Sequence, residues 1–313
     1  ARKIRTGAFS PSSLLRRRVE EVRENLFVYH DPVFLPRTER RGLGPALDRW
    51  RDATFRRALG RLGFANPILW LVRPESWDVP GTIGEKALIY QVVDDYLSYP
   101  GVTERSRARL DREERSIASR ADLVIVTAEN LLEIKRHLHS NILHVRNAVD
   151  DRTLEEGRIV GGPIPAELLA ARKPVLGYIG GITEKLDLEL LEKIAARLEG
   201  GSRGSLVLVG PVNVASRDAT ERIARLRSSP GVIFTGQRDA AEVPAFLRAF
   251  DVGLIPYRAS DQARSIDPLK FYEYLAFGKP VVAVDIPSVR PFRELVHIAR
   301  DREEYLRLLD VAA

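Results

Sequence analysis

Short apolar runs bounded by glycine, proline and charged residues recur along the second half of the chain. Residues Pro174–Gly180 (PVLGYIG), Ser205–Val209 (SLVLV), Val232–Phe234 and Asp251–Ile255 (DVGLI) are continuous enough to be strands buried on both faces. Val281–Val284 (VVAV) and a short segment near Val296 extend the series to six. Between them the apolar spacing changes to three and four. Leu186–Leu198 places Leu190, Leu191, Ile194 and Leu198 on one helical face, and Ala219–Leu226 and Ala241–Ala249 are further predicted helices. Strands alternating with helices of this length predict a parallel, doubly wound α/β sheet.

The first half alternates less regularly. Leu26–Tyr29, Ile68–Val72, Ala87–Val93, Leu123–Thr127 and Ile142–Val145 are predicted strands, and Gly44–Leu62, Thr103–Arg120 and Ala128–Leu138 predicted helices. Residues 151–173 contain Gly161-Gly162-Pro163 and Pro165 without a strand pattern and are expected to be a connection. The predicted division is therefore 1–150, 151–173 and 174–313. At 313 residues, two domains are the natural expectation.

The most informative stretch is Asp267–Asp285, DPLKFYEYLAFGKPVVAVD. Asp267 is a suitable N-cap, and Pro268 suits the first helical position. Gly278 ends the helix and Pro280 forbids its continuation. A helix N-terminus offers free N–H groups to a phosphate. Lys270 and Glu273 stand one turn apart: the ammonium can neutralise a diphosphate, and the carboxylate can accept both hydroxyls of a ribose.

This string resembles the donor-binding signature of GT-B glycosyltransferases of the large family four and its relatives, particularly bacterial enzymes of the teichuronic-acid type. Those pair N/D-P-x-K-x-Y-E-Y-L with A-x-G-K-P-V-V, and nearly every position is matched. The resemblance implies two Rossmann-like domains facing each other across a cleft, with a first domain that is incomplete as the chain begins. It implies transfer of a sugar from a nucleotide-diphosphate donor, UDP or GDP, to a hydroxyl of a cell-surface glycan or lipid-linked precursor. It also implies that the donor needs no metal and no further cofactor.

Four segments at predicted strand ends are candidates for holding the donor. Gly180 and Gly181 allow close backbone approach, and Lys185 could match the family's loop lysine, while its arginine position falls at Gly181. Gly236 and Gln237 match the loop that holds the base. Arg258 and Arg264 could each pair bidentately with phosphate. The fourth is the helix with Lys270 and Glu273, beside which Tyr272 and Tyr274 either line the site or pack, at least one of them in the core. The chain departs from the family's E-x7-E pattern: with Glu273 as the second acid, the first position is Ser265, and Asp267 is the nearest carboxylate. On the acceptor side, Asp94 and Asp95 are adjacent at a strand end. They are either a general base or residues that cap a helix or bind acceptor. The family's histidine there has no counterpart. Two other readings stay open: a sugar-nucleotide epimerase of the same fold, and a module that binds without catalysing.

Composition narrows the surroundings. The chain has no cysteine, which excludes a disulfide framework and thiolate metal sites, and its His and Asp show no metal-ligand spacing. An apolar content of 44% and a charged content of 29% describe a globular protein expected in the cytoplasm. No apolar run is long enough to span a bilayer. The net charge of +6 is an N-terminal property: residues 1–73 hold 16 Lys/Arg against 7 Asp/Glu. This excess lacks a nucleic-acid motif and points instead to peripheral attachment at an anionic inner membrane face.

Overall fold

The computed structural model describes residues 19–30, 44–99, 102–159, 161–200 and 204–313. Much of the basic N-terminal segment, residues 1–18 and 31–43, lies outside them. The chain divides into two compact units. One runs to Tyr90 and includes Arg112–Leu123; the other comprises Gln91–Asp111 and Val124–Ala313.

In the first unit, β1 (Val19–Arg23) and β2 (Leu26–Tyr29) form an antiparallel hairpin turned at Asn25, which adopts φ 60°. The hairpin's first strand was not predicted, because its alternation is broken by Glu20, Glu21 and Arg23. Helix α1 (Gly44–Arg61) follows, and Phe55 on it meets the Tyr29 ring at 4.8 Å. Strand β3 (Ile68–Leu71) pairs in parallel with β4 (Ala87–Val92), Ile68 opposite Ala87. Buried Arg51 is held by Asp78 at 3.2 Å. Helix α2 (Glu104–Ala118) precedes β5 (Leu123–Val126), and the Asp122 carboxylate accepts the Leu88 N–H at 2.7 Å.

In the second unit, β5 continues into α3 (Glu129–Lys135) and β6 (Ile142–His144), which pairs in parallel with β5. Residues 151–173, expected to be a plain connection, instead begin with helix α4 (Asp151–Arg158). The Asp150 carboxylate caps it by accepting the Thr153 N–H. Gly157 is the point at which α4 packs against a later helix. A Cβ there would stand 2.2 Å from the Ala276 carbonyl oxygen.

The remaining elements alternate as predicted: β7 (Val175–Ile179), α5 (Leu188–Glu199), β8 (Ser205–Val209), α6 (Arg217–Ser228), β9 (Val232–Gly236), α7 (Val243–Ala249) and β10 (Val252–Ile255). A short helix, α8 (Asp261–Arg264), interrupts what the sequence presented as a polar loop. Then come α9 (Leu269–Ala276), β11 (Val281–Val284), β12 (His297–Ala299) and a terminal helix, α10 (Arg302–Ala312), capped by Asp301. That last helix was not predicted; Tyr305, Leu306 and Leu309 are buried, and Leu308 and Ala312 pack beside them against the core. Leu188, Leu190, Leu191 and Ile194 of α5 are buried as its periodicity predicts.

All six strands form one parallel sheet in the order β12-β11-β10-β7-β8-β9. The chain leaves β7 toward β9 on one side and returns to β10 on the other. The order therefore reverses between β7 and β10, where α/β sheets bind ligands. Every residue of β7, β8 and β10 is buried, as continuous apolar strands require. Two strand glycines make room for aromatic rings: a Cβ on Gly177 would meet Phe250 at 2.1 Å, and one on Gly253 would meet Tyr274 at 2.5 Å. Gly253→Ala drives a methyl into the ring at its rigid end. It should cost about 1–3 kcal/mol, read as a lower urea midpoint at unchanged slope.

Candidate functional site

The loops that leave β7 and β10 are zipped together by their backbones. Asp187 N–H donates to Pro256 O at 2.8 Å, Arg258 N–H donates to Lys185 O at 2.8 Å, and Leu186 and Tyr257 form an isolated antiparallel bridge. This brings Lys185, from the β7 loop, over the ring of Tyr257, from the β10 loop, with Nζ 5.0 Å from the centroid. Helix α9 contributes Lys270. Its Nζ donates to the Tyr257 hydroxyl at 2.8 Å and lies 4.9 Å from the centroid of Tyr178, on β7. Gly180 completes the cradle: a Cβ there would come within 3.3 Å of the Lys270 ammonium. Its φ of 134° is one that L side chains rarely adopt.

Two ammonium groups thus converge on one phenol, and neither has a carboxylate within ion-pair distance among the described residues. Cation–π contact holds each for about 0.5–2 kcal/mol but leaves its charge uncompensated. Such a pair is chemically suited to a multiply charged anion. Burial raises the pKa values of the phenols beneath it. Tyr178 is pushed up to about 12, with Lys270 pulling the other way. Tyr257 is raised first by its burial, then lowered by Lys185 and raised by the Asp94 carboxylate. Both remain neutral donors and acceptors. Neither tyrosine stood out in the sequence: Tyr178 is an ordinary strand residue and Tyr257 follows the end of β10, until the topology sets each under a lysine.

Glu273 lies one turn beyond Lys270 and is half-buried. Burial raises its pKa, and the Lys270 charge partly offsets this. Tyr274, by contrast, is core: its hydroxyl accepts the Ile179 N–H at 3.1 Å. Three glycines in positive φ, Gly180, Gly210 and Gly236, end the adjacent strands β7, β8 and β9. Gly210 N–H donates to Gly236 O at 2.9 Å, and a Cβ on Gly210 would strike the Gly180 carbonyl at 2.1 Å. Gly181, Gly236 and Gln237 are exposed along this row. Arg258 and Arg264 are exposed as well, and no ion pair holds either among the described residues. Only Arg258 is tied to the lysine loop, through its backbone.

Asp267 differs from its expected role. It does not cap α9: the cap position is Pro268, without a side-chain bond, and the helix begins at Leu269. The reason is that both carboxylate oxygens of Asp267 are engaged elsewhere. Oδ2 accepts the Asn147 N–H at 2.8 Å, and Tyr272 Oη donates to Oδ1 at 2.9 Å. Burial raises its pKa, while the Asn147 and Tyr272 donors pull it down. Ser265, the position where the family carries its first glutamate, is buried and its Oγ accepts from Asn130 Nδ2 at 2.8 Å. Asp95 is held by the buried Lys135 of α3 at 3.2 Å, and Asp94 accepts from the Tyr99 hydroxyl. Among the described residues no group of three or more His, Cys, Asp or Glu could hold a metal ion.

Residues 173–306 match the family model described as glycosyl transferases group 1. Over 197 residues, 57% of its length, the chain is 30% identical to TuaH of Bacillus subtilis (strain 168), a glycosyltransferase of teichuronic acid biosynthesis whose own description is provisional. The chain spans 46% of that relative's length. Among solved structures, it is similar to a sucrose-phosphate synthase from Thermosynechococcus elongatus, with a TM-score of 0.66 at 18% identity, covering 95% of this chain and 77% of the other. It is also similar to Anabaena HepE, solved with UDP and glucose, with a TM-score of 0.59 at 17% identity, covering 88% and 74%. These findings bear out the resemblance to group 1 glycosyltransferases and the GT-B fold class.

Glu273 gives a signed pH test. Because its folded pKa is raised, the folded protein holds a proton that the unfolded chain releases in the window just above the ordinary carboxylate range. Stability therefore falls as pH rises through that window. Glu273→Gln removes the cost of burying the charge. Above the window the variant should melt higher than the parent in thermal scans, and the gap should close as pH falls below it.

Proposed function

We propose that the chain transfers a sugar from a nucleotide-diphosphate donor to a hydroxyl of a cell-surface glycan or lipid-linked precursor. The observation that carries this reading is the uncompensated lysine pair over Tyr257 at the sheet's reversal point. Lys185 and Lys270 would bind the diphosphate and stabilise it as the leaving group, an electrostatic catalysis that requires no metal. Glu273 would accept the ribose hydroxyls. Exposed backbone at Gly181, Gly236 and Gln237 would hold the base, and exposed Arg258 is free to reach phosphate while Arg264 would serve from α8. UDP is favoured over GDP by the nucleotide in the HepE structure, and the acceptor class by the relationship to TuaH.

For the acceptor side we assign Asp94 the role of general base. It is close enough to Tyr257 to act on that phenol's acidity, whereas Asp95 is committed to Lys135. A module that binds donor without turning it over is the second reading, favoured by the serine at position 265 and its bond to Asn130. Calorimetry and turnover separate the two. Lys270→Ala should weaken UDP binding by at least about tenfold, roughly 1.4 kcal/mol. Asp94→Asn should leave UDP affinity near the parent value and lower donor-sugar turnover by about a hundredfold or more. Donor bound but never consumed, with acceptor extracts present, would leave the binding module.

Attachment to a membrane surface belongs to the same proposal. No helix among the described residues is long and apolar enough to cross a bilayer. The basic excess of residues 1–73 would act through charge, about 1 kcal/mol for each Lys or Arg near an anionic leaflet. Sedimentation with anionic vesicles at low salt, lost at high salt and missing with neutral vesicles, is the expected result.

A further inference from the structure

Asp267 occupies a place the site above does not use. Its side chain faces two ways at once. Oδ2 accepts from the backbone N–H of Asn147, and the same residue's Nδ2 donates to the Asp267 carbonyl oxygen at 2.7 Å, closing a two-bond lock. Toward α9, both carboxylate oxygens accept from Tyr272 Oη, at 2.9 and 3.0 Å. Two residues back, Ser265 is tied to Asn130 of α3. Arg146 reaches over from the same segment as Asn147: its Nη1 donates to Ser288 O at 3.1 Å and its guanidinium lies 5.6 Å from the Phe292 centroid. The Phe292 ring in turn stands 6.1 Å from that of Tyr272.

The consequence lies in what α9 lacks. Its first turn has no side-chain cap and no acidic residue, so its start is not fixed by the helix's own sequence. Lys270 is the second residue of the helix, three positions from Asp267. Its far end is aligned by the Tyr257 hydroxyl, but the backbone that carries it is fixed by Asp267. We infer that Asp267 is a positioning residue: by locking the Asn147 segment to Tyr272 it sets the start of α9, and through it the place of Lys270 in the anion site. Asp267 itself is buried, with both carboxylate oxygens already accepting from Asn147 and Tyr272. The inference rests on Lys270 being a diphosphate ligand.

A side chain that works by accepting hydrogen bonds can be replaced by an amide of the same shape. One that works by its charge on a ligand cannot. The experiment is calorimetry with UDP on Asp267→Ala, Asp267→Asn, Lys270→Ala and the Ala/Ala double variant, each with its melting temperature. Asp267→Ala should weaken UDP by about tenfold, Asp267→Asn should recover to within about twofold of the parent, and the double variant should bind no more weakly than Lys270→Ala. A merely structural Asp267 would lower the melting temperature and leave UDP affinity well below melting unchanged, which would overturn the inference. Loss in Asp267→Asn equal to that in Asp267→Ala would overturn it too, placing the charge on the ligand, as would losses that add in the double variant. If Asp267→Ala does not fold, Tyr272→Phe, which removes the hydroxyl that both carboxylate oxygens accept from, takes its place: alone it should weaken UDP several-fold, and combined with Lys270→Ala it should add nothing, while unchanged affinity or an additive loss would overturn the inference. If Lys270→Ala binds UDP normally, the donor-site reading itself fails, and the two failures are thereby told apart.

Discussion

A single buried tyrosine holds the site-bearing helix to the sheet. Tyr274 projects from α9 into space left by Gly253 on β10, and its hydroxyl meets the Ile179 N–H at the end of β7. The ring thus spans the two strands between which the sheet order reverses. A buried polar group left without partners costs several kcal/mol, so this phenol can sit at only one height along the strands. That height decides where the preceding turn of α9 stands. Lys270, one turn earlier on the helix, is held above Tyr178 and Tyr257 between two anchors, Tyr274 beneath it and Asp267 before the helix start.

The chemistry of the site then follows from what is missing around the lysines. Several other cations of the sheet-bearing unit are compensated by carboxylates: Arg302 by Asp187, Arg222 by Glu192, Arg248 by Glu156. Lys185 and Lys270 have aromatic faces instead. A ring orients an ammonium without neutralising it, so the field above Tyr257 stays positive until an anion arrives. Glu273 is close enough to Lys270 to feel its charge, but its pKa is still raised, since burial outweighs that attraction. A half-buried carboxylate is costlier to ionise than a solvated one and correspondingly stronger as an acceptor once a hydroxyl reaches it.

A helix beginning at an uncapped proline would fray in isolation. In this protein the cap's work is done from outside, by Asp267 facing Asn147 and Tyr272. The same economy appears at Ser265, whose hydroxyl is spent on Asn130. The residues before α9 are accordingly bound to the segment between β5 and α4 rather than left to line the anion site.

The sequence alone determined the alternation of strands and helices from Pro174 onward, because buried parallel strands must be continuously apolar and their helices must be amphipathic. It also determined the lysine and glutamate of α9, since their spacing on a helix is fixed by its pitch. It could not reveal α4, which buries no side chain and so shows no apolar period; its cap at Asp150 and the approach of Gly157 to Ala276 hold it. The roles of Asp267 and Asp95 were likewise out of reach. An acidic residue before a proline looks like a cap, and two adjacent aspartates look reactive, until distant Asn147 and Lys135 are seen to engage them. Tyr178 and Tyr257 belong to the site only because β7 and β10 are neighbours. Strand order is a property of the whole sheet, set by packing and connection, and no local pattern encodes it.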